Sequence, residues 1–121
     1  MKLLLVALLF PLCAAAQNWP QKPVKVIVPF PPGGVTDAIA RITAEWLSQR
    51  LGQPVVPDNR PGASGALAAE LVARAEPDGY TLLSAATPQL AVVPYVQKIN
   101  YDPVKDFAPI SIVGTNAFAL G

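Results

Sequence analysis

The residues Pro32-Gly33-Gly34-Val35-Thr36-Asp37 follow directly on the apolar run Val26-Ile27-Val28, the pattern of a strand that ends in a Pro/Gly turn and feeds a helix. That arrangement suits anion binding. The first N–H groups of a helix lack intrahelical partners and carry about half a positive charge, and glycine lets a ligand approach the backbone closely. A carboxylate or a phosphate fits such a pocket. The same glycines also serve any strand-to-helix turn, so this stretch alone leaves a purely structural reading open.

Other chemistry is largely excluded. The chain has no histidine, so Ser-His-Asp and Cys-His catalysis and imidazole metal ligation are absent, and no catalytic residue, metal or cofactor is expected. Gly62-Ala63-Ser64-Gly65-Ala66 resembles a nucleophile elbow only in outline, since Ala66 stands where the final glycine belongs and no base exists. The Gly33-Gly34 turn lacks the lysine of a phosphate loop and the three glycines of a dinucleotide fingerprint. Asp58, Asp78, Asp102 and Asp106 read as turn residues. Asp37 is expected to order the glycine turn, because a negative charge there repels a bound anion. Arg60 is either a carboxylate fork or a solvated, turn-bridging arginine. Tyr80, Tyr95, Tyr101, Trp19 and Trp46 read as packing residues.

Lys2, the apolar run Leu3–Leu12 and Ala14-Ala15-Ala16 form the pattern of a secretory signal peptide with cleavage after Ala16. The apolar run is too short to span a bilayer, which takes about 20 residues. It also inflates the mean hydropathy of +0.38. Cys13, the only cysteine, lies in this leader, so no disulfide or thiol chemistry is expected downstream. Lipid attachment at Cys13 is disfavoured by Phe10-Pro11-Leu12, where a small residue is required. The chain carries nine basic and eight acidic residues; losing Lys2 with the leader balances them. Such a surface gives no long-range attraction to nucleic acid or anionic membrane, so an anion site has to be local.

The elements that must position the turn follow from periodicity. Residues 23–29 read as a strand covered on both faces, as in a parallel sheet. Thr36, as N-cap, opens a helix to Leu51, stopped by Gly52, with Ile39, Ile42, Trp46 and Leu47 as its apolar face. Val55-Val56 between prolines predicts a short, edge-like strand, and residues 59–65 a loop. Residues 66–75 predict a second helix with Leu67, Leu71 and Val72 on one face, ended by Pro77-Asp78-Gly79. Residues 80–83 predict a third strand, followed by the loop Ser84–Pro88, a helix over 89–97 broken by Pro94, a loop over 101–107 and a fourth strand over 109–113. Strand–helix alternation with short connections implies a doubly wound, mostly parallel α/β sheet with flanking helices. Ligands in such sheets sit at the carboxyl ends of the strands, where Gly33–Asp37 and Ser84–Thr87 both emerge.

Four stretches carry a family resemblance. They are residues 28–37, Asn59-Arg60-Pro61-Gly62-Ala63-Ser64-Gly65, Pro77-Asp78-Gly79-Tyr80-Thr81-Leu82-Leu83 and residues 101–111, in that order. Together the chain resembles the substrate-binding receptors of tripartite tricarboxylate transporters, the Bug receptors of the bacterial periplasm. The resemblance implies a type II periplasmic binding protein whose two lobes close on a small carboxylate and deliver it to a membrane permease, without catalysis and as a monomer. It assigns ligand contacts to Pro32, Gly33, Gly34, Val35, Thr36 and Asp37 and, by position, to Ser84, Ala85 and Thr87. Two departures qualify it. The chain resembles only the N-terminal third of family members, so residues 17–121 are expected to be a fragment of the first lobe. In the second loop, Ser84-Ala85-Ala86-Thr87-Pro88-Gln89 departs from a glycine and hydroxyl pattern, and Pro88 removes a donor. Two rival readings stay open: a periplasmic α/β enzyme domain acting on phosphate esters or nucleotides, and a non-functional truncated product.

Overall fold

The computed structural model describes residues 18–115. The expected leader, residues 1–16, lies outside them. The element order is β1 (Val24–Val28), α1 (Val35–Leu51), β2 (Val55–Asn59), a 3₁₀ turn (Ala63–Gly65), α2 (Ala66–Ala73), β3 (Thr81–Leu83), a wide π-type turn (Pro88–Val92) and α3 (Val93–Val96). The sheet has the order β2-β1-β3, and both pairings are parallel. Val24 stands opposite Val55 and Val28 opposite Asn59, while Lys25 to Ile27 pair with Thr81 to Leu83.

β1 is central because its sequence, Val-Lys-Val-Ile-Val, is β-branched and apolar on both parities; all but Lys25 are buried. Neighbouring strand residues face opposite sides of a sheet. Val24, Val26 and Val55 pack with Ala44 of α1, joined by Leu47, Leu51 and Leu82. Leu83, one residue on, packs instead against the cluster of Ala66, Ala69, Val93 and Tyr101. Thus α1 and α2 cover opposite faces, and the fold is the expected α/β sheet with flanking helices. Ser48 joins α1 to the sheet: its hydroxyl donates to the Ala44 carbonyl (2.8 Å) and accepts from the Val55 N–H (2.8 Å). Among the described residues no helix is long and apolar enough to cross a membrane.

Several expectations are corrected. The face of α1 that meets the sheet carries Asp37, Ala40 and Ala44, with Leu47 and Leu51 beside them, whereas Ile42 and Trp46 are 69% and 54% exposed. In α2 the buried residues are Ala66, Ala68 and Ala69, and Leu67 and Leu71 point outward. Alanine lets a helix backbone approach a sheet closely, so the small stripe, not the bulky one, is the inner face. Trp46 instead carries the Arg50 guanidinium 4.8 Å above its ring. β2 is longer than Val55-Val56, extending through Pro57 to Asn59, which an edge strand allows because the missing N–H faces away from its partner. Asp58 therefore lies in a strand, not a turn, and pairs with Arg60 at 3.0 Å. The segment after β3 is divided next to Pro94, as expected, into the π-type turn Pro88–Val92 and α3, and Pro94 occupies the first turn of α3, where no N–H is needed.

Residues 109–113 form no strand. Ile110 and Ile112 are 79% and 84% exposed, and no strand pairs with them among the described residues. β-branched composition suits a pleated surface, but a strand exists only where a neighbour completes the ladder. Because Ile27 is 2% exposed at the centre of β1, Ile27→Val is expected to lower the unfolding free energy by about 1 kcal/mol, measured by urea denaturation.

Candidate functional site

From β1 the chain crosses to one edge through α1 and returns past β1 to β3 through α2, so the winding reverses between β1 and β3. Loops at the carboxyl ends of strands flanking such a switch point form a crevice in open α/β sheets. The loops concerned here are Phe30–Gly34 after β1 and Ser84–Thr87 after β3. The ladder carries them side by side, since the Ser84 N–H donates to the Ile27 carbonyl at 2.9 Å.

Gly34, in extended backbone (φ −81°, ψ 171°), is the N-cap of α1, and its carbonyl accepts the Ala38 N–H at 2.9 Å. This corrects Thr36 as the cap. Thr36 lies inside the first turn, because Asp37 supplies the anchoring that a capping hydroxyl would have given. Asp37 Oδ2 reaches back to accept the Gly33 N–H at 2.9 Å, as in a capping box displaced by one residue. Beyond Gly33, the N–H groups of Gly34, Val35, Thr36 and Asp37 find no acceptor among the described residues. Gly33, Gly34 and Val35 are exposed and Thr36 is half-buried. The turn therefore offers a run of unused donors, backed by the dipole of a 17-residue helix.

Asp37 is buried at 3% exposure, and its negative charge is absorbed by the protein. Arg41 Nε donates to Oδ2 at 2.9 Å, and Asn59 Nδ2 donates to Oδ1 at 2.9 Å. Asn59 also donates to the Phe30 carbonyl (2.9 Å) and accepts from Arg41 Nη2 (3.1 Å). The end of β2, the turn and the first two turns of α1 are thus fixed together. The Arg41 hydrogen bond first, then the Gly33 N–H and the Asn59 amide, hold the Asp37 carboxyl well below the usual carboxylate range. Arg41 is correspondingly raised by the same contact. The expected loop-ordering role of Asp37 is what the geometry displays.

The sign of the pH effect follows. Asp37 ionises more readily folded than unfolded, so its contribution is full above the ordinary carboxylate value of about 3.9 and is lost as pH falls toward the depressed folded value. Urea denaturation between pH 7 and pH 3 is expected to show stability falling below about pH 4, with a shallower fall in Asp37→Asn.

Ser84, Ala85 and Thr87 lie where expected at the end of β3. The Ser84 N–H is consumed by the ladder, while the Ala86 N–H donates to Gln89 Oε1 at 2.9 Å. The apolar cleft of about 280 Å³ lined by Trp19, Val24, Leu47, Leu51, Val55 and Leu82 lies at the opposite, amino-terminal edge of the sheet. Among the described residues no group of three or more His, Cys, Asp or Glu could hold a metal. Sequence reasoning missed Arg41, Asn59 and Gln89. The i, i+4 spacing of Asp37 and Arg41 was available as a signal; the partnership with Asn59 exists only through the β1–β2 register.

Comparison with known proteins agrees with this architecture. Residues 39–120 match the family model described as "Tripartite tricarboxylate transporter family receptor". BugT of Bordetella pertussis is 43% identical over 102 residues, covering 83% of this chain and 31% of BugT. A UPF0065 protein of Bordetella bronchiseptica is 46% identical over 110 residues, covering 90% of this chain and 32% of the relative. The chain thus spans about a third of the length of the curated relatives it matches. Among solved structures, MatC from Rhodopseudomonas palustris with bound malate is 39% identical with a TM-score of 0.69, covering 78% of this chain and 33% of MatC. An R. palustris protein with adipate is 49% identical with a TM-score of 0.53, covering 54% of this chain and 22% of that one. The chain belongs to the tripartite tricarboxylate transporter receptors, a family of periplasmic solute-binding proteins rather than enzymes.

Proposed function

We propose that this chain forms part of the first lobe of an extracytoplasmic receptor that captures a small carboxylate and passes it to a tripartite tricarboxylate-type membrane permease. The observation that carries the reading is the run of unpartnered amides from Gly34 to Asp37 at the switch point of the sheet. Pro32 and Gly33 shape the turn, Gly34, Val35 and Thr36 donate N–H groups to the ligand carboxylate, and Asp37 holds the turn without facing the anion. Ser84 and Thr87 contribute hydroxyl donors from the neighbouring loop and Ala85 lines it, since the ladder uses the Ser84 N–H. The malate and adipate held by the two R. palustris neighbours support a di-acid as ligand. Residues 1–16 act as a cleaved leader that sends the chain to the periplasm, where residues 17–121 serve as a monomeric lobe component.

Isothermal titration with malate, succinate, adipate and inorganic phosphate tests this, using the chain together with whatever its gene encodes after Gly121. Saturable binding of at least one dicarboxylate is the expected outcome. Binding of phosphate alone would favour the phosphate-ester reading instead, and binding of none of the four overturns the proposal.

A further inference from the structure

Two loops at the carboxyl edge of the sheet meet on one buried side chain. Gln89 is 0% exposed. Its Nε2 donates to the Ser64 carbonyl at 2.9 Å, and its Oε1 accepts the Ala86 N–H at 2.9 Å. Its own carbonyl accepts the Tyr101 hydroxyl at 2.7 Å. One carboxamide therefore links the turn after β2 to the loop after β3, and Tyr101 fixes the backbone that carries it.

The turn after β2 needs holding. Ala63 (φ 47°) and Ser64 (φ 54°) are consecutive non-glycine residues in the left-handed region, a conformation that persists only where its surroundings impose it. Two glutamines impose it here. Gln89 bonds the Ser64 carbonyl, and Gln97 Nε2 donates to the Ala63 carbonyl at 3.1 Å. Gly65 completes the arrangement, because a Cβ there would lie 2.0 Å from Gln89 Nε2.

We propose that Gln89 is a positioning residue for the ligand site, clamping the strained Gly62–Gly65 turn and the Ser84–Thr87 loop into one wall of the crevice. The proposal rests on the carboxylate-binding reading above. Gln89 touches no ligand; it acts by making the two loops move, or stay, together. A buried amide suits this role because both of its hydrogen-bonding ends are used and no water is needed to satisfy them.

The test compares wild type with Gln89→Met, which keeps length and burial but removes both hydrogen-bonding ends. The chain is again expressed with whatever its gene encodes after Gly121. In the free protein, hydrogen exchange of the amides at Ser64–Gly65 and at Ser84–Ala86 is expected to accelerate in both loops together. Acceleration at Ala86 alone overturns the clamp. In titrations with malate, succinate and adipate, affinity is expected to fall about tenfold, the effect of one lost buried hydrogen bond transmitted to the site. Val24→Ala, a core change at the amino-terminal edge of the sheet and away from both loops, is expected to leave affinity within twofold; an equal loss in Val24→Ala shows that stability, not positioning, sets affinity and overturns the inference. Gln89→Asn, which keeps the amide but shortens its reach by one methylene, is expected to reproduce both effects, and it serves alone if Gln89→Met does not fold. If wild type binds no dicarboxylate, the function proposed above fails, and the joint exchange of the two loops still decides the role of Gln89.

Discussion

Val35→Pro is expected to cut dicarboxylate affinity by roughly 10- to 100-fold while leaving the fold intact. Val35 is the first residue of α1 and is 60% exposed. Proline is favoured at that position, since its fixed φ suits the helix and the N–H it lacks is not used within it. Gly34, with ψ 171°, already has the extended conformation required before proline. Thus the substitution deletes one donor of the proposed carboxylate site without breaking a bond inside the protein, and unfolding free energy is expected to change by less than about 1 kcal/mol. A hydrogen bond to a charged acceptor contributes about 1.5–3 kcal/mol, which converts to the stated loss of affinity. Gly34→Pro removes the adjacent donor and is expected to act in the same direction. Val35→Ala, which keeps the N–H, is the control and is expected to bind as wild type. Titration calorimetry with malate or adipate decides the matter: unchanged affinity in both proline variants removes the amides of this turn from the site.

The parts of the fold legible in the sequence are those governed by local physics. Val24–Val28 is apolar on both parities, and Gly33-Gly34 followed by Asp37 marks a strand-to-helix turn, so β1, the turn and α1 were readable from neighbours in the chain. The parallel sense was readable as well, because strand–helix–strand connections are right-handed crossovers between parallel strands; the order β2-β1-β3, and with it the switch point, comes from the structure alone. What was not readable depends on distance in space. Ala40 and Ala44 form the inner stripe of α1 because the helix lies close to β1 and β2, a fact that side-chain size alone misstates. Asn59 meets Asp37 only because Val28 and Asn59 are register partners. Residues 109–113 have strand composition without a paired neighbour. Gln89 offered no signal at all: a glutamine in a proline-interrupted segment reads as surface, yet here it is buried and bonded at both ends.

That burial makes Gly65 the most closely packed glycine among the described residues. Gly65→Ala is expected to lower the unfolding free energy by about 3–5 kcal/mol, measured by urea denaturation. Its backbone is left-handed, at φ 88°, which costs an L-residue about 1–2 kcal/mol. The added methyl would also stand 2.0 Å from Gln89 Nε2 and 2.7 Å from Gln89 Cδ. A flexible side chain at the surface would swing away cheaply. Gln89 has no room to do so and would leave the Ser64 carbonyl and the Ala86 N–H unsatisfied, at about 1–3 kcal/mol for such a buried group. Gly33→Ala separates the two contributions, because Gly33 has a similar φ of 93° and no atom within 4 Å of where its added methyl would stand; only the backbone cost is expected there. Equal losses at Gly33 and Gly65 would refute the steric account. Conversely, Gly65→Ala in a Gln89→Ala background meets an empty space instead of the carboxamide, and its cost is expected to shrink to that of Gly33→Ala, the non-additivity that two residues in direct contact must show.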